Sequence, residues 1–304
     1  MSPPDHVVAA FPGQGSLTPE VGAPWEDHPS FSAVTTISDT VGIDLAHLLV
    51  EGAEAELVST RNAQLATFAL SLAILDASKL ADRAEWMLGH SLGEYTALVA
   101  AGVVSRVDGA RLVDARGTAM LEAATAEPGG LVALIGGDAD AADAACAAIP
   151  TLAVANRNGP GQIVLGGTTA ALDTLAEQAK SFGFRRAIPL RVGGAFHTPL
   201  MAPAAPALET ALASTTFRAG TAHVVANVDG EAHDNPSDWP ALLVRQLTEP
   251  VDFERGIRAL PSGAMLVEFG PGGVLCGLAK RIRDDLSYLP IGTPDDLDAL
   301  ETFR

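Results

Sequence analysis

A serine set between two glycines, in the stretch GHSLGEY from Gly89 to Tyr95, is the first place in this sequence where residue type and spacing point to chemistry. The Gly-x-Ser-x-Gly pattern suits a nucleophile on a sharp strand-to-helix turn, where a side chain on either neighbour would collide with flanking backbone. A helix opening just after Ser91 would aim free N–H groups, and the positive end of its dipole, at the oxyanion formed when the serine attacks a carbonyl. Alone the pattern is only moderately specific, because small residues also surround serines in ordinary loops.

A serine hydroxyl is a poor nucleophile until a base takes its proton. Seven histidines are available. His6, His28, His47, His223 and His233 lie in contexts that read as surface or loop. His90 adjoins the serine, and neighbours at a turn point apart, which gives it a supporting place. His197, in VGGAFHTPLM, follows a strand at the point where the chain returns from a smaller unit to a larger one, and there a cleft is expected. The two cysteines, Cys146 and Cys276, are far apart without metal-ligand spacing and read as buried free thiols.

These residues need a frame to position them. HVVAAFPGQGS reads as a buried strand from His6 to Phe11 entering a Gly/Pro loop. AQLATFALSLAILDASKL is apolar on nearly every face, as in a helix inside a large domain. EWML, GHSLGEY and TALVAAGVV read as strand, turn and helix, and strands alternating with helices predict an α/β architecture with a mainly parallel sheet. From residue 127 to 192 the texture changes. GGLVALIGG (strand), DADAADAACAAI (helix), TLAVANRNGPGQIVLGG (hairpin), TAALDTLAEQAKSFG (helix) and FRRAIPLRV (strand) give the order βαββαβ. The expectation is a large α/β-hydrolase-like subdomain, residues 1–126 and 193–304, carrying an inserted ferredoxin-like small subdomain, residues 127–192.

The chain has 304 residues, 48% of them hydrophobic, without an apolar run long enough to span a bilayer. The N-terminal MSPPDHVVAAFPGQGS has no basic region, so a secretion signal is not expected and a cytoplasmic protein is. A net charge of −18 argues against nucleic acid as a partner. Local basic clusters remain at Lys180/Arg185/Arg186/Arg191 and Lys280/Arg281/Arg283, each read equally well as a solvated element edge.

Six ordered blocks then carry a resemblance over nearly the whole chain: FPGQGS, GHSLGEYTALVAAGVV, RLVDARGTAMLEA, GGAFHTPLM, LLVRQLTEPVDF and VEFGPGGVLCGLAKRI. In order and spacing the sequence resembles the malonyl-CoA:acyl carrier protein transacylases and the acyltransferase domains of polyketide synthases. The resemblance implies Ser91 as the acyl-accepting nucleophile, His197 as general base, and Arg116 as partner of the free carboxylate of a malonyl group. A guanidinium offers parallel donors to a carboxylate and keeps its charge. Without the family pattern, Arg116 would be read as a surface ion pair with Asp114 or Glu122. Gln14 and the N–H of Leu92 match the oxyanion donors, and Gln246 a position whose carbonyl orients the histidine in place of a triad acid. Met120, Asn156 and Asn158 match cleft-lining positions.

Leu92 and Phe196 are also expected to border the acyl pocket. A phenylalanine before the histidine resembles the malonyl-selecting form, where a serine resembles the methylmalonyl one. The implied activity is transfer of malonyl from malonyl-CoA, as substrate, to the phosphopantetheine thiol of a separate acyl carrier protein. It needs no bound cofactor or metal, and a monomer is expected. One stretch departs from the housekeeping pattern: RNAQLATFAL stands where TQPAL is usual, with Gln64 kept and the proline absent. A specialised polyketide acyltransferase taking another acyl donor therefore stays open, with a serine esterase as a weaker alternative, since no histidine follows His233.

Overall fold

A computed structural model describes residues 6–301; residues 1–5 and 302–304, assigned above to the larger subdomain, lie outside the described residues. The strands are β1 (Val7–Phe11), β2 (Trp86–Gly89), β3 (Gly129–Ile135), β4 (Ala153–Gly159), β5 (Gln162–Thr168), β6 (Arg186–Pro189), β7 (His223–Val225), β8 (Ala232–His233), β9 (Met265–Phe269) and β10 (Ser287–Ile291). They form two sheets, ordered β10-β9-β1-β2-β7-β8 and β4-β5-β3-β6. In the first, β10, β9, β1, β2 and β7 run parallel and β8 closes the edge as an antiparallel hairpin arm. β1 and β9 are buried along their whole length, as strands covered on both faces must be.

Parallel strands deliver their carboxyl ends to one side, and there the loops that follow β1, β2, β7 and β9 converge. Ligands of open α/β sheets bind at such an edge. Behind it runs the Thr60–Ser78 helix, buried over most of its surface and stopped by Lys79 in the left-handed region, φ 56°. Its apolar character on all sides fits a core helix, and it begins three residues earlier than the sequence pattern places it.

The second sheet is antiparallel, in the order expected of a ferredoxin-like βαββαβ unit. Alternation along its strands separates two jobs. Val132, Leu134 and Leu165 pack under the Ala139–Ala148 and Thr169–Gln178 helices with Ala142, Ala145 and Leu175. Leu131, Ala133 and Val164 face the other way, into the cleft against the larger sheet. β4 shifts register against β5 between Val154 and Asn156 and again between Arg157 and Gly159, and Asn156 and Asn158 of this irregular strand also face the cleft. The last strand is shorter than the FRRAIPLRV run, although the Leu190 N–H just beyond it still donates to the Leu131 carbonyl at 2.9 Å.

Cys276 is buried and Cys146 only half-buried, both as free thiols. Among the described residues, no helix is long and apolar enough to cross a membrane.

Candidate active site

The turn that carries Ser91 is sterically specified. A Cβ on Gly89 would lie 1.8 Å from the Gly93 carbonyl carbon, and one on Gly93 would lie 1.9 Å from the Phe11 carbonyl oxygen of β1. Ser91 itself sits at φ 56°, ψ −107°, a conformation that a side-chain-bearing residue holds only when its surroundings enforce it. Asn227, just beyond β7, supplies that enforcement. Its Oδ1 accepts the Ser91 N–H at 2.7 Å and its Nδ2 donates to the Gly89 carbonyl at 2.7 Å. The Leu92–Ala100 helix opens immediately afterwards, leaving the Leu92 N–H without an intrahelical acceptor.

His197 Nε2 lies 2.7 Å from Ser91 Oγ, and Nδ1 lies 2.6 Å from the backbone carbonyl of Gln246. A carbonyl can only accept, so Nδ1 carries the proton and Nε2 is free to take the one on Ser91. Burial, with the neighbouring Arg116 charge adding to it, holds the ring far below the ordinary imidazole range, at about 3; the Gln246 carbonyl works weakly in the opposite sense. The base is therefore neutral near pH 7. Among the described residues no carboxylate completes a triad at Nδ1, unlike the arrangement of α/β-hydrolase esterases.

Arg116 is fully buried and makes no ion pair with Asp114 or Glu122. Asp114 is engaged by Arg61 Nε at 2.5 Å. Arg116 instead donates to Gln64 Oε1 at 2.6 Å, Gln246 Oε1 at 2.8 Å and Ser91 Oγ at 3.1 Å, with its guanidinium carbon 5.2 Å from the centre of the Tyr95 ring. Five donors thus meet three neutral acceptors, and Nε has none among the described residues. A buried cation with donors to spare, and only neutral groups in direct contact, suits an incoming carboxylate.

Ser91 and His197 open onto a cavity of about 230 Å³ between the two sheets, which Gln14, Met120, Asn156, Asn158 and Phe196 also line. His90 lines it too, its Nε2 2.9 Å from Asn158 Oδ1 across the cleft. Gln14 begins a short 3-10 turn at the end of the loop after β1. Gln246 and Arg116 stand behind the serine rather than in the cavity wall. Leu92 corrects the sequence reading. Its side chain is buried in the large hydrophobic core and does not border the pocket, because the Ser91 turn directs the first helical residue inward. Its N–H, at the first position of the helix, is the part of Leu92 that remains next to the Ser91 turn.

Sequence reasoning passed over Glu94 and Asn227. Asn227 N–H donates to Glu94 Oε1 at 2.8 Å, and Gln246 Nε2 donates to Glu94 Oε2 and, at 2.9 Å, to the Ser91 carbonyl. A lone carboxylate in the otherwise apolar LGEYTALV helix was the available signal for Glu94. Nothing local marks Asn227, whose partners Ser91 and Glu94 lie more than 130 positions away.

Residues 11–281 match the acyl transferase domain family. The malonyl CoA-acyl carrier protein transacylase of Bacillus subtilis is 36% identical over 308 residues, covering 98% of this chain and 97% of that protein. That of Escherichia coli K12 is 38% identical, covering 95% and 96%. Among solved structures, an acyl-carrier-protein-S-malonyltransferase from Bartonella henselae superposes with a TM-score of 0.91 at 35% identity, covering 98% of each chain. A malonyl-transacylase in complex with its type II PKS acyl-carrier protein gives 0.92 at 35% identity, covering 98% of this chain and 100% of the other. Matched by the family model over most of its length and by relatives end to end, the chain is an acyltransferase and belongs to the malonyl CoA-acyl carrier protein transacylase family.

Proposed function

We propose that this enzyme moves a malonyl group from malonyl-CoA to the phosphopantetheine thiol of a separate acyl carrier protein, in fatty-acid or polyketide synthesis, through an ester on Ser91. The observation that carries the reading is the position of Ser91 Oγ, 2.7 Å from a neutral imidazole nitrogen and 3.1 Å from a buried guanidinium, at the foot of a cleft. His197 Nε2 takes the serine proton as Oγ attacks the thioester carbonyl. The oxyanion is held by the Leu92 N–H and by Gln14, and the imidazolium returns its proton to the departing coenzyme A thiolate. In the second half the carrier thiol gives its proton to His197, attacks the ester, and Ser91 leaves with that proton restored. Every step is assigned to protein groups and the two thiol partners, so no bound cofactor is called for.

Arg116 selects the acyl group by pairing with its free carboxylate. Phe196 and Met120 line the cavity, where a substituent on the α-carbon would have to fit against them, and one methyl there is worth about 1–3 kcal/mol. Malonyl is accordingly favoured over methylmalonyl by roughly 10- to 200-fold. We place the enzyme in the cytoplasm, as a monomer, with the carrier approaching over the Lys180–Arg191 side of the cleft.

Intact-protein mass spectrometry after brief incubation with malonyl-CoA, methylmalonyl-CoA or acetyl-CoA tests this directly. The expected result is a malonyl-sized adduct that is absent from Ser91→Ala. Arg116→Ala should lose malonyl transfer by two orders of magnitude or more, the loss of a buried charge-assisted pair worth about 3 kcal/mol, while acetyl transfer is equal or better. Equal loss for both acyl groups would make Arg116 a structural residue. No adduct from any of the three would point to a different donor, such as another acyl-carrier thioester.

A further inference from the structure

Arg116 and Glu94 are both buried, and each is solvated by the same side chain. Gln246 accepts from Arg116 through Oε1 and donates to Glu94 through Nε2, so its amide dipole lies between a cation and a carboxyl group with the matching end toward each. The second Glu94 oxygen accepts the Asn227 N–H at 2.8 Å. With N–H donors on both oxygens, the site accommodates the ionised carboxylate, and the charge it balances is Arg116. A malonyl carboxylate arriving at Arg116 would place a second anion on that cation, inside a region that water does not reach.

We propose that Glu94 is a proton-linked positioning residue: ionised, it balances Arg116 through the Gln246 amide, and on arrival of the acyl carboxylate it takes up a proton from solvent, so that binding of a dicarboxylic acyl group and protonation of Glu94 are coupled. This role presupposes Arg116 as the carboxylate site. The groups facing Glu94 are Arg116 from the Arg106–Ala126 helix, Gln246 from the Trp239–Thr248 helix, Asn227 and Asp229 from the loop after β7, and Tyr95 on its own helix. Burial raises the proton affinity of Glu94 to about 8, while the Asn227 and Gln246 bonds and the Arg116 charge oppose that rise and Asp229 adds a little to it. Neutralising Arg116 with a bound carboxylate removes one of the opposing influences, which sets the direction of the coupling.

Two readouts on the intact enzyme test it. A pH-indicator dye should report net proton uptake when stoichiometric malonyl-CoA acylates the wild-type enzyme at pH 8–9, and none with acetyl-CoA. Infrared difference spectra should show a protonated buried carboxyl appearing with malonyl alone. In steady state, KM for malonyl-CoA should rise by up to tenfold per pH unit above about pH 8, with a smaller change in kcat. Glu94→Gln should lose that slope for malonyl-CoA, and a slope that persists in Glu94→Gln would assign the titration to another group. If Glu94→Gln does not fold, the wild-type dye and infrared measurements decide alone. A malonyl preference that depends on Arg116 but brings neither proton uptake nor a new carboxyl band would overturn the coupling and leave the carboxylate reading intact. Loss of malonyl and acetyl transfer to the same degree in Arg116→Ala would instead remove the carboxylate reading on which the coupling stands.

Discussion

His197 is neutral at ordinary pH because nothing beside it favours its charged form strongly. A carboxylate at Nδ1 would raise imidazole basicity, whereas the Gln246 carbonyl mainly fixes the tautomer, and burial beside Arg116 keeps the ring near 3. The acylation rate with malonyl-CoA should therefore stay level between about pH 5.5 and 7.5. A rate that fell tenfold per unit below about pH 6.5 would mean that this histidine titrates as an exposed one does. The same shift affects stability with a definite sign. In the unfolded chain the ring titrates near 6.5, and in the native state only near 3. Between those values the unfolded state binds more protons, so this contribution is complete above about pH 6.5 and is lost as the pH falls toward 3. Urea melts of the wild type against His197→Gln from pH 4 to 7 should show a steeper acid loss in the wild type.

The turn between β2 and its following helix ties this chemistry to the fold. Gly93 passes so close to β1 that Gly93→Ala should cost about 3 kcal/mol or more, seen as a large fall in Tm or as insoluble protein, because the obstacle is a backbone carbonyl that cannot step aside. A melting temperature within a degree or two of the wild type would show that β1 and the turn can separate. The need for glycine here was legible in GHSLGEY, as was the βαββαβ order of the small unit, since each of its segments carries its own period and its own turn residues. The order of the parallel sheet was not, because β9 and β2 flank β1 through contacts remote in sequence. The site divides in the same way. Ser91 announced itself by spacing and His197 by its place where the chain returns to the larger unit, whereas Arg116 and Gln246 came from resemblance. Asn227 and Glu94 escaped notice because they act on Ser91 and Gln246 from elements that only the tertiary fold brings together. Leu92 was misjudged for its side chain, since a strained residue at the turn sets which way the next one points.

Across the whole molecule, the net charge of −18 sets a problem for a partner that is itself acidic, as carrier proteins typically are. Long-range steering is then repulsive, and productive docking has to rest on local cations that the enzyme has not already neutralised. Many arginines are spent internally, among them Arg106 on Asp76, Arg258 on Glu254 and Arg283 on Asp285. Arg185 and Arg186 are exposed at the start of edge strand β6 and have no carboxylate partner among the described residues, whereas Arg191 meets Glu54 at 3.2 Å. β6 leads into Leu190 and Val192, which line the catalytic cavity, so a protein held at the two free arginines stands beside the entrance. Arg281 reaches Gln162 Oε1 at 3.2 Å, Gln162 standing in register with Ile135 and so with Arg186 across the small sheet, and Lys280 lies over Tyr288, so that cluster is partly engaged in holding its own helix. Reversing Arg185 and Arg186 to glutamate should raise the apparent KM for the carrier on the order of tenfold at low salt, with the effect shrinking as ionic strength grows. Acylation of Ser91 by malonyl-CoA should be unaffected, because neither arginine touches the cavity. An unchanged KM would move the docking site to the Lys280–Arg281 rim, and a loss of self-acylation would show that the reversal had disturbed the small sheet itself.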